Sequence, residues 1–240
     1  ETGRGLIISP SGELFLGYVN KILAVCQEAR RALDPEAPPA GVLKISAIES
    51  AATGRLPALL SRYHAHYPKV QMQFGTDTWS NLVTDVVGHK LDGAIIAVNS
   101  DHPDIGKQEI YKEPLVLIAS TSLGEITSPQ VLNNLNIFMW PEGCPYRQAL
   151  ENWLKAAKVS TPITSIASYG TILGCVSAGA GVSLVPTGVF EQYQKIGNIK
   201  GYTFESLAPI QNYFVWNRNV GFHRARDAFA ELMTDAFRTI

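Results

Sequence analysis

Residues 41–96 alternate between short apolar runs and longer amphipathic stretches. The apolar runs have the length of buried strands, and the amphipathic stretches place apolar residues at the three- and four-residue spacing of a helix face. The order strand, helix, strand, helix, strand predicts a parallel sheet, because parallel neighbours need a crossover that is usually a helix. The predicted strands lie near 42–47, 69–74 and 92–97, and the predicted helices near 51–66 and 78–88.

Small polar residues follow the first two predicted strands and open the next helices, as ESAAT does at 49–53 and GTDTWS at 75–80. Free backbone N–H groups and the helix dipole both favour negative charge at such positions. We therefore expect this sheet edge to attract anions and to hold a small ligand.

The same architecture recurs after Ser120 without a repeat of the sequence. Two α/β halves of this kind predict two lobes with a cleft between them. Further strands are predicted near 115–119, 137–140, 163–167, 182–185, 202–207 and 211–216, and further helices near 146–157, 169–178, 187–196 and 222–238.

The N-terminal part predicts a long helix over 10–33, with Ser9 as its cap and Pro10 at its first position. Two neighbouring rows of apolar residues cover much of its surface, so the helix must pack on something. Prolines then make 34–40 a stiff linker. A second copy of the chain is the expected partner; a helix folded back on its own domain is the alternative.

Composition limits the function. Hydrophobic residues make up 46% and charged residues 17%, and the net charge is −1, so the chain has no global field that would attract DNA or an anionic membrane. No apolar run has the length of a membrane span, and the first residues lack a signal-peptide pattern, so we expect a cytoplasmic protein. The three cysteines, Cys26, Cys144 and Cys175, are widely spaced and are expected to be reduced thiols.

No catalytic motif stands out. His64 and His66 lie two residues apart on a predicted helix and cannot chelate one metal. The AGAG at 178–181 follows a helix and precedes a strand, which is the reverse of the dinucleotide-binding order. We expect neither enzymatic activity nor a metal or other cofactor.

Three segments carry a resemblance to a known family: ISAIESAATGRLPALLSRYHAHYPKV, GTDTWSNLVTDVVGHKLDGAI and AGAGVSLVP. Their order and spacing resemble the effector-binding region of LysR-type transcriptional regulators, over residues 1–240. Residues 1–9 are similar to the tail of the family's winged helix-turn-helix, and 10–33 to its dimerising linker helix. The helix-turn-helix itself would precede this chain, so we expect operator DNA to be bound only through that part.

The resemblance implies a fold like the type 2 periplasmic binding proteins, in which two Rossmann-like lobes are joined by a hinge. Lobe I would comprise 41–119 and 210–240, and lobe II 120–209. A small-molecule effector in the cleft between the lobes would change their angle, and with it the geometry of a homodimer or homotetramer formed through the helix and the lobes.

Candidate effector-binding residues follow from strand ends, helix starts and the resemblance. Ser50 is the principal candidate, with a plain helix cap as its alternative role. Arg147 is the one cation in these loops, so an anionic effector would use it unless the side chain is solvated. The full set is Ser50, Ala51, Thr76, Asn99 and Ser100 from lobe I, with Val98 beside them, and Cys144, Arg147, Ser168 and Tyr169 from lobe II.

Three other functions stay open. Peroxide-sensing members of the family carry a reactive cysteine in the loop that matches Cys144, but they pair it with a second cysteine soon after, which this chain does not have. A solute-binding protein of a transporter would share the two-lobed fold but would need an export signal. A two-lobed enzyme of the prephenate dehydratase type would share it too.

Overall fold

The structure is a computed structural model that describes residues 8–32, 37–194 and 198–238. Residues 1–7 of the predicted wing, 34–36 of the predicted linker and 195–196 of a predicted helix lie outside this part. The helices are α1 (Pro10–Ala32), α2 (Glu49–Gly54), α3 (Leu56–His66), α4 (Trp79–Val87), α5 (Pro145–Ala156), α6 (Tyr169–Ser177), α7 (Thr187–Tyr193) and α8 (Arg224–Phe237), with a 3₁₀ turn at Pro129–Asn134.

Ten strands make up the sheets of the described residues. They are β1 (Gly41–Ala47), β2 (Val70–Thr76), β3 (Gly93–Ile96), β4 (Ile105–Glu113), β5 (Leu115–Ser120), β6 (Ile137–Met139), β7 (Ile163–Ser165), β8 (Ser183–Pro186), β9 (Ile199–Tyr202) and β10 (Ile210–Asn217).

The first sheet has the strand order β2-β1-β3-β10-β4. Its first three strands are parallel, as predicted, and their register places Ala47 level with both Thr76 and Ile95. The carboxyl ends of β1 and β2 therefore meet at one edge. β10 runs antiparallel to β3 and β4. With α2, α3, α4 and α8 this sheet forms lobe I.

The second sheet is built around β5, which pairs antiparallel with β8 and β9. A parallel pair, β6 and β7, joins it through a bridge between Ile137 and Val182. With α5, α6 and α7 these strands form lobe II. Both lobes are mixed α/β, and the predicted two-lobed fold is confirmed.

The position of β5 corrects one predicted boundary. The sequence places 115–119 at the end of lobe I, but this strand is the centre of the second sheet, so the chain crosses between lobes at Pro114. All six residues of β5 are buried. A continuous apolar run predicts a central strand without saying which sheet contains it. The second crossing lies between β9 and β10.

Three local predictions differ from the structure. β4 was not predicted, because its alternating polar residues suit an edge strand with one exposed face. The strand predicted at 202–207 lies instead at Ile199–Tyr202, where it pairs with β5. The single helix predicted over 51–66 is interrupted at Arg55, whose side chain bonds to Glu113.

The helix α1 presents a large apolar surface to solvent. Most of the large apolar side chains of α1 that the structure describes are exposed rather than packed on the lobes, which favours a partner for this face over a helix folded back on its own domain. The exposed apolar residues are Leu14, Phe15, Leu16, Tyr18, Ile22, Leu23 and Val25.

Along the described ranges, no helix has both the length and the apolar character that crossing a bilayer requires. The same residues hold no cluster of His, Cys, Asp or Glu that could bind a metal ion.

Candidate functional site: the cleft between the lobes

A cleft of about 580 Å³ lies between the two lobes. Lobe I lines it with 48–50, after β1, and with 76–80, after β2. Lobe II contributes 140–146, 167–170 and Tyr193. The strand ends that the sequence singles out therefore form one wall, and the loops that start α5 and α6 form the other.

Ser50 reaches across the cleft. Only 6% of this residue is exposed, and its hydroxyl donates to the Tyr146 phenolic oxygen at 3.3 Å. The cap of α2 is Ile48, so Ser50 is not a plain helix cap. The next residue, Ala51, is buried in the core and does not line the cleft, contrary to its place among the candidates.

A second hydrogen bond crosses the cleft from α4. The Trp79 indole N–H donates to the Gly143 carbonyl at 3.0 Å. Thr76 lines the cleft beside it, while Thr78 caps α4 by accepting from the Asn81 amide. Two donors on lobe I, Ser50 and Trp79, thus bond to the first turn of α5 and to the loop just before it.

Asn99 and Ser100 do not belong to this cleft. The Asn99 side chain and the Ser100 carbonyl both accept from Lys107 on β4, and neither residue lines the cleft. The third strand ends at Ile96, and the chain then turns toward β4, the strand absent from the prediction. Val98 lines only an adjacent recess of about 440 Å³.

Arg147 also faces away from the cleft. Its guanidinium donates to Glu151 at 2.7 Å, to the Ser165 hydroxyl at 2.6 Å and to the Trp140 carbonyl at 3.2 Å. The residue is 8% exposed, so it is neither solvated nor free to bind a ligand in the cleft. It lines the adjacent recess instead. The expectation of an anionic effector therefore loses its one cation and rests on the helix-start amides alone.

Cys144 lines the cleft as a half-buried thiol. Burial raises its pKa, although the backbone amides of Arg147 and Tyr146 and the Arg147 charge act in the opposite direction. At neutral pH the group is therefore a thiol, not the thiolate that a peroxide-reactive cysteine needs.

The remaining lobe II candidates lie at the start of α6. Ser168 lines the cleft and caps the helix by accepting from the Thr171 amide at 3.2 Å. Tyr169 is 4% exposed, and its ring centroid lies 5.2 Å from that of Trp140. Burial raises the Tyr169 pKa well above its usual value.

The candidate set omitted all the acidic lining residues and all but one of the aromatic ones. Glu49, Asp77 and Tyr146 are direct neighbours of candidate residues, so their positions were available from the sequence, whereas nothing in the sequence indicated Tyr193. The omitted aromatic and acidic residues are Glu49, Asp77, Trp79, Trp140, Glu142, Tyr146 and Tyr193. Among the described lining residues, three are carboxylates and none is Lys, Arg or His.

The lobes also touch away from the cleft, where α2 meets α7. Arg55 donates to Glu113 from two nitrogens, and Glu113 accepts a third hydrogen bond from the Gly188 amide at 2.9 Å. Gly54 approaches so closely that an added Cβ would lie 2.7 Å from the Gly188 carbonyl carbon. This contact connects the first interlobe crossing to lobe II.

Comparison with known proteins agrees with this architecture. The family model described as LysR substrate binding domain matches residues 36–238. The uncharacterized HTH-type transcriptional regulator YusT of Bacillus subtilis is 33% identical over 239 residues, covering 96% of this chain and 78% of YusT.

Two solved structures show the same fold. Full-length OxyR from Pseudomonas aeruginosa superposes with a TM-score of 0.79 at 20% identity, covering 100% of this chain and 82% of OxyR. The effector-binding domain of QuiR, in complex with shikimate, gives a TM-score of 0.70 at 16% identity, covering 83% of this chain and 98% of the QuiR domain. On the family match and the YusT similarity, the chain belongs to the LysR family of transcriptional regulators and contains the family's substrate-binding domain.

Proposed function

We propose that the cleft between the lobes binds a small-molecule effector and that binding changes the angle between them. The two hydrogen bonds across the cleft, Ser50 to Tyr146 and Trp79 to Gly143, carry this proposal. A ligand that touches both walls favours the lobe arrangement in which it makes the better contacts. Any change of lobe angle must alter or break these two bonds.

The wider role follows from the family. LysR-type regulators bind effectors, act as oligomers and bind operator DNA through an N-terminal domain, and they are not enzymes. We propose that this chain forms a homodimer or homotetramer through α1 and the lobes, and that effector binding changes the spacing of the DNA-binding domains on an operator. We propose a cytoplasmic location, which operator binding requires.

The QuiR structure supports small-molecule binding in a cleft of this fold, since that domain was solved in complex with shikimate. It does not supply the effector of this chain, because the two sequences are 16% identical. The chemistry of the effector has to be inferred from the lining residues here.

A redox sensor of the OxyR kind is less well supported. The OxyR similarity, at 20% identity, concerns the fold alone. The one cysteine in the cleft, Cys144, has a pKa raised by burial, whereas peroxide sensing favours a lowered one. The cleft is therefore better suited to reversible ligand binding.

A thermal-shift screen of small metabolites followed by calorimetry would test the proposal, because a specific ligand raises stability by mass action. For any ligand found, Ser50→Ala should weaken binding by about 1 kcal/mol or more, since it removes a hydroxyl from the cleft wall. Ser206→Ala is the matched control: that hydroxyl accepts from Trp153 and lies outside the cleft. Equal affinity in wild type and Ser50→Ala would remove Ser50 from the site, and a ligand that binds without contacting the cleft would refute the proposal.

A further inference from the structure

The wall of the cleft carries an uncompensated negative charge. Glu49, Asp77 and Glu142 all line it, and the described lining residues include no basic side chain. A site built for a simple anion would instead place at least one cation or several free donors against the ligand.

Two of these carboxylates have no cationic partner in the part of the chain that the structure describes. Glu49 accepts a hydrogen bond from the Thr53 hydroxyl at 3.0 Å. Asp77 accepts from the Thr78 amide at 2.6 Å and from the Asn81 side-chain amide at 2.8 Å. Neutral donors of this kind hold the carboxylates in place but leave their charge intact.

The cation that lines the adjacent recess, Arg147, does not offset this charge. Arg147 lies 2.7 Å from Glu151 and 3.8 Å from Glu142, so two carboxylates already face its single positive charge. Glu142 is largely exposed, and its contribution is screened by solvent. The negative character of the cleft therefore rests on Glu49 and Asp77.

Aromatic rings form much of the remaining surface. The cleft is lined by Trp79, Trp140, Tyr146, Tyr169 and Tyr193. The Trp140 and Tyr169 rings are inclined to one another by 57°. Ring faces carry partial negative charge and attract organic cations, and several rings around one pocket form the usual binding site of ammonium groups.

The helix N-termini at the cleft favour anions, but their partial positive charges are smaller than the full charges of the carboxylates. The N-termini of α2, α4, α5 and α6 lie at the cleft, and each carries roughly half a positive charge, so the two on the lobe I wall together amount to about one charge against the two of Glu49 and Asp77. Asp77 already accepts from the Thr78 amide at the start of α4, and the Ser168 hydroxyl caps α6. The two full charges of Glu49 and Asp77 therefore dominate their wall.

We propose that the effector carries a positively charged nitrogen, as an amine or a quaternary ammonium group, bound by the Glu49 and Asp77 carboxylates and the aromatic rings of the cleft. The inference rests on the proposed effector-binding function and assigns the chemistry of the ligand. It replaces the anionic effector expected from the sequence.

Cys144 provides a probe of the charge in the cleft that needs no knowledge of the effector. In a variant with Cys26→Ser and Cys175→Ser, its labelling rate would be measured with a trimethylammonium and with a sulfonate methanethiosulfonate reagent. Each rate is divided by the rate of the same reagent with a free thiol, and the two normalised rates are then compared. The raised pKa of Cys144 slows both reagents equally, so it cancels in the ratio of the two. The cationic reagent should be favoured by about tenfold at low salt, as in clefts of one charge sign, and less at high salt.

The matched variants locate the source of this preference. Glu49→Gln with Asp77→Asn should abolish it at nearly constant side-chain volume, whereas Glu109→Gln, on an exposed part of β4 outside the cleft, should leave it unchanged. An equal or greater preference for the sulfonate reagent in the original protein would overturn the proposal. So would a preference that survives the double substitution.

A ligand panel separates this proposal from the proposed function itself. Choline, its uncharged isostere 3,3-dimethylbutan-1-ol and the anion 3,3-dimethylbutanoate share one shape and differ in charge. Choline should raise the melting temperature most, and Glu49→Gln should weaken its binding about tenfold. Stabilisation by the anion instead would leave the effector-binding function standing and refute the cationic ligand. If none of the three binds, the labelling ratio still decides the charge, and the wider metabolite screen decides the function.

Discussion

The guanidinium of Arg55 donates from Nε and Nη2 to the two carboxylate oxygens of Glu113, and both hydrogen bonds are 2.8 Å long. Arg55 lies where α2 ends and α3 begins, and Glu113 is the last residue of β4 before the chain crosses to lobe II. Glu113 also accepts from the Gly188 amide of α7. One buried carboxylate therefore ties together both lobes and the first crossing.

Replacing Glu113 with Gln should lower the free energy of unfolding by about 3 kcal/mol, because Arg55 would keep a largely buried charge without its main partner. Urea unfolding at neutral pH measures the change. Glu191→Gln is the control: Glu191 also bonds to Arg55 but is half exposed, so its loss should cost less than about 1 kcal/mol. Similar losses for the two variants would show that the bidentate contact does not stabilise the hinge.

Gly54→Ala should destabilise the protein by about 1–3 kcal/mol, because the added methyl group would meet the Gly188 backbone and force α2 and α7 apart. The change in melting temperature, followed by thermal unfolding, measures this loss of stability. Gly174→Ala is the matched control, since a Cβ on that α6 glycine meets nothing within 4 Å and alanine is the better helix former. If Gly54→Ala were as stable as Gly174→Ala, the helices would not be held at this distance.

The parallel half of lobe I could be predicted from the sequence, because the spacing of its apolar residues distinguishes the buried strands from the amphipathic helices between them. β3 is buried and apolar, the buried positions of β1 are mostly apolar, and α4 between β2 and β3 is amphipathic. Parallel neighbours joined by helical crossovers then follow from the connection geometry. Sheet membership could not be predicted for β5, whose six buried residues would suit the centre of either sheet. Long-range pairing, not local pattern, decides such a case.

Part of the candidate set lies together in the structure, but the direction of its side chains did not follow from the sequence. Strand ends and helix starts indicated Ser50, Thr76 and Ser168, which all line the cleft; their contact with an effector stays a prediction. The Arg147 side chain bonds to Glu151, one turn later on α5, and to Ser165 of β7. The first contact follows from helix spacing, but the approach of β7 to α5 is long-range and the sequence does not specify it. The sign of the expected effector charge was therefore inferred from helix-start amides and from one arginine, and that arginine faces elsewhere.

The labelling rate of Cys144 should level off at a higher pH than the rate of a free thiol, because burial raises its pKa and delays formation of the thiolate. The profile would be measured with a neutral disulfide reagent in the Cys26→Ser, Cys175→Ser variant. A free thiol in the same buffer should level off at lower pH. If the Cys144 rate levelled off at a lower pH than the rate of the free thiol, the Cys144 pKa would be lowered, and the redox alternative would regain support.

The apolar surface of α1 should be the first determinant of self-association. Phe15 and Ile22 are 68% and 62% exposed and lie two helical turns apart, so both can enter one helix–helix contact. Phe15→Glu with Ile22→Lys should weaken association by about tenfold or more, because each places a charge where an apolar side chain would be buried.

Sedimentation equilibrium of wild type and variant over a range of concentrations measures this effect. Val131→Glu serves as the control, since Val131 is an exposed apolar residue on lobe II, 40% accessible, and its substitution changes surface charge without touching α1. Phe15 and Ile22 are exposed and contribute to neither lobe's core, so the double variant should keep its melting temperature while it loses its partner. If it remains as associated as the control, the lobes and not the helix hold the oligomer, and a change of lobe angle would then act on that interface directly.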